Sequence, residues 1–200
     1  MTISANNSVT NQYGLYVPYD PFSPAELSAM AYHGILRPQF GPYYVDADLP
    51  DHATQRAKAV RMTAEHLITG DWTATLLTAA WIHAGGQAPE MLEAGTADCQ
   101  KSRSRSGIHP AALRHIDYLQ RSELADDDLL VIGGVVVTNI ALTIEDLLRL
   151  GGTSRHQVRA LELIQMIDLD TLMDRFQSNA HLPGMDAANH HLEGLLNIAA

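Results

Sequence analysis

The sequence of 200 residues contains a single cysteine, Cys99. One cysteine excludes a disulfide within the chain and a zinc site built from several cysteine ligands. No apolar run approaches the roughly 20 residues that a membrane-spanning helix needs. The first residues, MTISANNSVTNQYG, have neither the basic nor the apolar segment of a signal peptide. We therefore expect a cytoplasmic protein that does not bind membranes.

Positive charge is scarce and unevenly placed. The sequence has 13 Lys and Arg residues and 23 Asp and Glu residues, which gives a net charge of −10. This balance argues against a surface coated in basic residues, such as wholesale nucleic-acid binding requires. The segment KSRSRS nevertheless concentrates cations, and only Arg37 lies in the first 50 residues. We predict an anion-binding surface, for nucleic acid or an acidic protein, formed by Lys101, Arg103, Arg105 and Arg114. The alternative is a solvated loop.

The order of the predicted elements indicates an α+β fold. Residues 1–22 read as a flexible arm, and residues 23–50 as a helix followed by a β-hairpin. In SPAELSAMAYHG, Ser23 and Glu26 have the spacing of a capping box, Pro24 suits the first helical position, and Gly34 suits the helix end. Residues 51–200 then supply two helices, several strands and a helical tail, so strands and helices are segregated rather than alternating. The strands are expected at residues 90–94, 112–120 and 129–138.

The stretch VVVTNIALTIEDLLRL changes from a strand pattern to a helical pattern within its length. Its valines fit a pleated, buried strand. Thr143 precedes Asp146 at the spacing of a capping box, with Asp in place of the usual Glu or Gln. We therefore predict that a helix begins at Thr143, and that Thr138 is a residue of the strand end rather than a nucleophile.

Motifs for catalysis and metal binding are weak in this sequence. Its 10 histidines show no HExxH or comparable ligand spacing, and His190 and His191 would point about 100° apart on a helix. The sequence has no GxSxG, P-loop or GxGxxG signature. Asp126–Asp128 are interpreted as a charged turn between strands. We predict no catalytic residue, no metal site and no cofactor.

Several segments resemble the AbiEi-type antitoxins of type IV (abortive-infection) toxin–antitoxin systems. YHGILRPQFGPYYV is similar to that family's helix end and wing, and HLPGMDAANHHLEGLL to its closing helix. The segment IHPAALRHIDYLQRSELADDDLLVIGGVVVTNIALTIEDLLR resembles its strand pair and following helix, with Thr138, Thr143, Asp146 and Leu147 at matching positions. LLTAAWIHAGG resembles a helix of the family, matched here by Thr78, Ala79, Ala80, Trp81, His83 and Gly85.

The resemblance covers about residues 25–198 and implies a regulator without catalysis. A partial winged helix at 23–50 would bind promoter DNA for autorepression, with Arg37 as a wing contact. An antitoxin-like domain at 51–200 would neutralise a nucleotidyltransferase-like toxin. The wing is poorer in arginine than the family pattern, which weakens the expectation of DNA binding.

Two other classes stay open. One is a metal-dependent nuclease or hydrolase that uses the Asp and His residues, although only Lys58 and Lys101 could serve as a nuclease lysine. The other is a structural homo-oligomer module without DNA binding, in which the aromatic arm pairs with a second subunit.

Overall fold

A computed structural model describes residues 14–68, 70–96, 116–120 and 124–199 of the chain. It confirms the predicted α+β class. A 3-10 turn at Asp126–Asp128 precedes the strand Leu129–Ile132, and a π-helical turn at Leu147–Gly151 extends the helix Ile140–Asp146. Within the described ranges the elements follow in the order α1 (Pro24–Tyr32), β1 (Leu36–Pro38), β2 (Tyr44–Asp46), α2 (Ala53–Glu65), β3 (Thr73–Ala74), α3 (Leu76–Ala84), β4 (Leu92–Thr96), β5 (Ile116–Gln120), β6 (Leu129–Ile132), β7 (Val135–Thr138), α4 (Ile140–Asp146), α5 (Ser154–Ile164), α6 (Leu169–Ser178) and α7 (Met185–Ala199).

The strands form two sheets. β1 and β2 make the predicted antiparallel hairpin. The other five strands form a mixed sheet in the order β5-β4-β3-β7-β6. Its centre joins β3 in parallel to β7 and antiparallel to β4, while β6 pairs antiparallel with β7 at one edge.

Two groups of buried apolar side chains lie on either side of α3. One packs α2 against the sheet and the hairpin, and α3 contributes Trp81 and Ile82 to it. The other joins α3 to the C-terminal helices, with Leu76 and Leu77 from α3. The helix is therefore buried on all sides, which agrees with its nearly uniform apolar sequence.

The N-terminal helix and hairpin have the local structure that the sequence predicts. The Ser23 hydroxyl accepts from the Glu26 N–H, and the Glu26 carboxylate accepts from the Ser23 N–H at 2.8 Å, so the capping box is complete. Gly34 has the expected left-handed conformation at φ 73°. Ahead of the helix, Leu15 is buried and the Tyr16 N–H donates to the Tyr44 carbonyl at 2.8 Å. Residues 15–16 of the predicted arm thus contact the hairpin. The predicted division of the chain into an arm, a winged-helix element and a larger domain, at residues 22 and 50, stays a prediction.

The predicted strand-like segment 129–138 is two strands. Gly133 and Gly134 have φ values of 57° and 80°, which suits a two-residue turn with both central residues in the left-handed region. Ile132 and Val135 are paired at its base. The expectation of one strand was wrong because apolar residues of the strand type stand on both sides of the glycine turn.

The helix after β7 begins earlier than predicted. Asn139 is its N-cap, and the Asn139 side-chain oxygen accepts from the Leu142 N–H at 2.8 Å. Thr143 lies fully buried inside α4, and Asp146 is its last residue. The predicted capping box of Thr143 and Asp146 was therefore wrong, because Asn139 supplies the cap four residues earlier. Thr138 ends β7, as predicted.

The C-terminal helices α5, α6 and α7 follow the predicted pattern. Thr153 caps α5, and Leu172 and Phe176 of α6 are buried. Met173 of the same helix is 36% exposed. Among the described residues, no helix is long and apolar enough to cross a membrane.

Candidate functional site

The cations predicted to bind an anion fall into two groups. Lys101, Arg103, Arg105 and Arg114 lie outside the described residues. Arg37 lies on β1 with its side chain about one-third exposed, and its Nη2 is 3.9 Å from the Asp51 carboxylate. Asp51 also pairs with Arg56 at 2.9 Å. Arg37 is therefore part of an ion-pair group that joins the hairpin to α2.

Charged side chains from distant parts of the chain hold both ends of the buried helix α3. At its start, the Glu93 carboxylate accepts from the Leu77 N–H at 2.5 Å. At its end, the Arg56 guanidinium donates to the Ile82 carbonyl at 2.8 Å and the Arg159 guanidinium to the Gly85 carbonyl at 2.6 Å. An acid at the start and bases at the end complement the helix dipole and satisfy groups that the helix leaves unbonded.

The sequence did not predict these contacts because the charged residues that bind the ends of α3 lie far from it in the chain. Glu93 is 16 residues from Leu77, and Arg159 is 74 residues from Gly85. The Arg159 guanidinium lies near other cations, but burial is the main reason why its pKa is lowered from the usual value. Its partners are the Gly85 carbonyl and the exposed carboxylate of Glu162.

A partly buried histidine joins α3 to the end of β7. The His83 Nε2 lies 2.7 Å from the Thr138 carbonyl oxygen. A carbonyl only accepts, so the histidine carries its proton on Nε2 and donates it. Burial lowers the pKa of His83 from its usual value. The hydrogen bond to the Thr138 carbonyl acts to raise this pKa, but burial outweighs it. The contact links the strand-to-helix turn to the central helix.

Two buried carboxylates at the end of α4, Glu145 and Asp146, belong to an ionic cluster. The Glu145 carboxylate accepts from Arg175 Nε and from the Asn179 amide, both at 2.7 Å. Arg175 also pairs with Asp128, just before β6. Burial acts to lower the pKa of Arg175, but the hydrogen bond to Asp128 and the charge of Glu145 outweigh it, so the pKa is raised. The cluster connects α4, α6 and the turn before β6.

Arg149 completes this cluster on the side of the π-helical turn. Its Nη2 lies 3.5 Å from the Asp146 carboxylate and its Nε 3.7 Å from the Glu145 carboxylate. Two adjacent buried carboxylates destabilise a fold unless cations lie near them. Arg149 and Arg175, from two different elements, supply the positive charge here. The residues act as a structural ionic cluster, which explains the acids that follow Thr143 in the sequence.

The predicted acidic and histidine candidates are separated by the fold. Asp126–Asp128 form the predicted turn between β5 and β6. His190 is exposed on α7, while His191 is half-buried and lies 3.4 Å from the Leu148 carbonyl. Across the described ranges, no group of three or more His, Cys, Asp or Glu side chains could hold a metal ion.

A shallow cleft of about 300 Å³ opens beside the turn between β6 and β7. Its charged side chains are Arg61, Glu65 and Asp71, with Trp72 as the aromatic wall. Arg61 and Glu65 form an exposed ion pair at 2.8 Å. The cleft thus combines a small apolar wall with charges of both signs.

Among the large apolar side chains that are exposed, two pairs lie close together in the chain. Tyr32 and Ile35, at the turn between α1 and β1, are 88% and 57% exposed. On the edge strand β6, Leu130 and Val131 are 45% and 75% exposed. Exposed apolar residues of this size commonly mark interaction surfaces when they are grouped.

Comparison of the chain with protein-family models, with curated proteins and with solved structures gave no match. The resemblance to AbiEi-type antitoxins therefore stays a prediction from the sequence.

Proposed function

We propose that this protein is a regulator that acts by binding a protein partner, in the manner of the AbiEi-type antitoxins that its sequence resembles. The partner implied by that resemblance is a nucleotidyltransferase-like toxin, which this protein would neutralise by contact. The regulator performs no chemical step of its own.

The observation that carries this proposal is the exposure of Tyr32 and Ile35 at the α1–β1 turn. Tyr32 is 88% exposed, and its ring lies edge-on to His33 at 5.5 Å between centroids. Tyrosine is enriched among the residues that dominate binding energy, because it buries a large ring at a low entropy cost and keeps a polar tip. A turn that presents Tyr32 and Ile35 to solvent fits a protein partner.

The charges around this turn favour a protein over DNA as the occupant. The sequence of α1, PAELSAMAY, contains one charged residue, Glu26, and it is acidic. Arg37, the cation of the hairpin, already lies beside the Asp51 carboxylate. Phosphate contacts usually come from several Lys and Arg residues, so a protein surface suits the helix and hairpin better than a DNA backbone does.

The test is co-expression with the product of the adjacent gene, followed by co-purification and a growth assay. We expect the wild-type protein to bind this product and restore growth. The double variant Tyr32→Ala, Ile35→Ser should bind at least about tenfold more weakly, a loss typical of central interface residues.

Val158→Ser is the matched control, because Val158 is 55% exposed on α5, away from the α1–β1 turn. It should bind and rescue like the wild type. Failure of the wild-type protein to bind the product or restore growth would contradict the proposed function. Binding that survives the double variant would contradict the α1–β1 surface.

A further inference from the structure

The edge strand β6 lacks the residues that usually protect a sheet edge from pairing with another chain. In the part of the chain that the structure describes, β6 pairs with β7 on one side and with no strand on the other. Its sequence, LLVI, contains no proline, lysine or other charge. Edge strands normally carry such residues to prevent pairing with another chain. Leu130 and Val131 are instead exposed to solvent on this edge.

The backbone groups that face outward can be identified from the pairing with β7. The Asn139 N–H donates to the Asp128 carbonyl at 2.7 Å, and Ile132 pairs with Val135 at the two-residue turn. Bonding directions alternate along a strand, so Leu130 and Ile132 bond to β7 while Leu129 and Val131 face outward. The Leu129 N–H is used by the 3-10 turn, where it donates to Asp126. A complete donor and acceptor pair therefore remains at Val131.

We propose that a second copy of this chain pairs with β6 in antiparallel orientation, about a two-fold axis at Val131. The Val131 N–H of each copy donates to the Val131 carbonyl of the other. Two-fold pairing places the same residue opposite itself, so one outward-facing residue satisfies both copies. The two five-stranded sheets then form one continuous sheet across the dimer.

The same register brings apolar side chains together on both faces. Val131 of one copy lies against Val131 of the other, on one face of the joined sheet. Leu130 lies opposite Ile132 of the second copy on the other face, because opposite residues in an antiparallel pair share a face. The pairing therefore covers Leu130 and Val131, the two β6 side chains that are exposed in the single chain.

The ends of the paired strands are complementary in charge. The register places Asp128 opposite Gly134 of the second copy, so the acidic turn Asp126–Asp128 lies beside the β6–β7 turn of that copy. Arg61 is at this turn, since a Cβ built on Gly134 would lie 2.7 Å from Arg61 Nη1. The exposed carboxylates of Asp126 and Asp127 then approach a guanidinium. In a chain with a net charge of −10, this contact offsets part of the repulsion between copies.

The dimer is tested by sedimentation equilibrium over a concentration series. We expect the wild-type mass to rise from 21.8 kDa toward twice that value as concentration increases. Val131→Pro removes the central outward-facing N–H and leaves the bonds between β6 and β7 intact, a position where edge strands tolerate proline. Val131→Lys places two like charges against each other across the axis. Because each change occurs in both copies at the axis, each variant should raise the dissociation constant about tenfold.

Val158→Lys is the matched control, because it makes the same substitution at another exposed valine. It should dimerise like the wild type, and thermal unfolding should show that all three variants are folded. A wild-type protein that stays monomeric at every concentration would overturn the proposal, as would a dimer that neither Val131 variant weakens.

The register is tested by a charge exchange between the two turns. Arg61→Glu or Asp127→Arg alone should weaken the dimer, and the two together should restore much of the lost association. If the double variant is as weak as the worse single variant, the acidic turn does not meet Arg61 and the proposed register is wrong.

Discussion

The side-chain oxygens of Thr138 and Thr143 lie 2.8 Å apart at the junction of β7 and α4. Both residues are fully buried. The Thr143 hydroxyl also lies 2.7 Å from the Asn139 carbonyl, while the Thr138 carbonyl accepts from His83. The two threonines thus form a closed polar contact that sets the angle between strand and helix.

Replacing Thr143 with valine should destabilise the fold. The change keeps the branched shape but removes the hydroxyl that bonds to Thr138 and Asn139. The Thr138 hydroxyl keeps only a longer contact to the Ala74 carbonyl at 3.5 Å, and a typical intramolecular hydrogen bond contributes about 0.5–1.5 kcal/mol. Urea unfolding measures the loss, with Thr54→Val as the control because Thr54 is exposed on α2. Equal stabilities of the two variants would contradict the structural role of the hydroxyl contact.

Removing Glu145 should cost more than removing an exposed acid. Glu145→Ala leaves the guanidinium of Arg175, whose side chain is 18% exposed, without its nearest buried carboxylate. Breaking a buried ion pair from one side typically costs about 3–5 kcal/mol, and the remaining pair with Asp128 reduces that loss here. In contrast, Glu65→Ala breaks an exposed pair with Arg61 and should cost below about 1 kcal/mol. Chemical denaturation of both variants gives the comparison, and similar losses would show that the cluster adds little.

Stability should decrease in mild acid because of His83. Its pKa is lowered in the folded state by burial, so the unfolded chain binds the proton more readily. As pH falls below the usual value of 6.5, the unfolded state gains protons before the folded state does. Stability is therefore lost from about pH 6.5 downward, until the folded-state pKa is passed.

The variant His83→Gln keeps a side-chain N–H donor but removes this titration. Its stability should change less than that of the wild type between pH 7.5 and about pH 5. His190→Gln, on the exposed face of α7, is the control and should retain the wild-type dependence. Parallel curves for wild type and His83→Gln would assign the acid response to other groups.

Two glycine-to-alanine changes should have opposite effects. Gly85 has φ 76°, and an added Cβ would lie 2.7 Å from Asp51 Oδ2 and 2.9 Å from Arg56 Nη1. Alanine there is strained and displaces the ion pair, so we expect a loss of at least about 1 kcal/mol. Gly194 lies within α7 with no atom near its Cβ position, and alanine should stabilise that helix by about 0.5–1 kcal/mol. Thermal unfolding of both variants checks the signs.

The cations at 101–114 remain our prediction for an anionic partner. If Lys101, Arg103, Arg105 and Arg114 bind DNA, the logarithm of the affinity should fall linearly with the logarithm of salt concentration. Reversing Arg103 and Arg105 to Glu should then reduce that slope by about 2, or roughly one per lost phosphate contact. A flat salt response in the wild type would exclude DNA binding by this segment.

Local signals in the sequence determined several elements correctly. Ser23, Pro24 and Glu26 define the start of α1 within four residues, and the capping contacts they form need no other part of the chain. Gly34 ends the same element because glycine adopts a positive φ at low cost. The sequence likewise predicted the helical tail, where α5 and α6 each bury apolar residues on one side.

Other features depended on contacts between distant residues. Asn139 and Thr143 are both suitable caps, and tertiary structure decided between them because Thr143 is buried against Thr138. The charges of Glu93, Arg56 and Arg159 have no local pattern that assigns them to the ends of α3. Their positions follow from the way the sheet and α5 pack around that helix, which brings residues far apart in the chain to its unbonded backbone groups. Burial and contacts between distant residues, rather than local propensity, therefore determine the start of α4 and the contacts at the ends of α3.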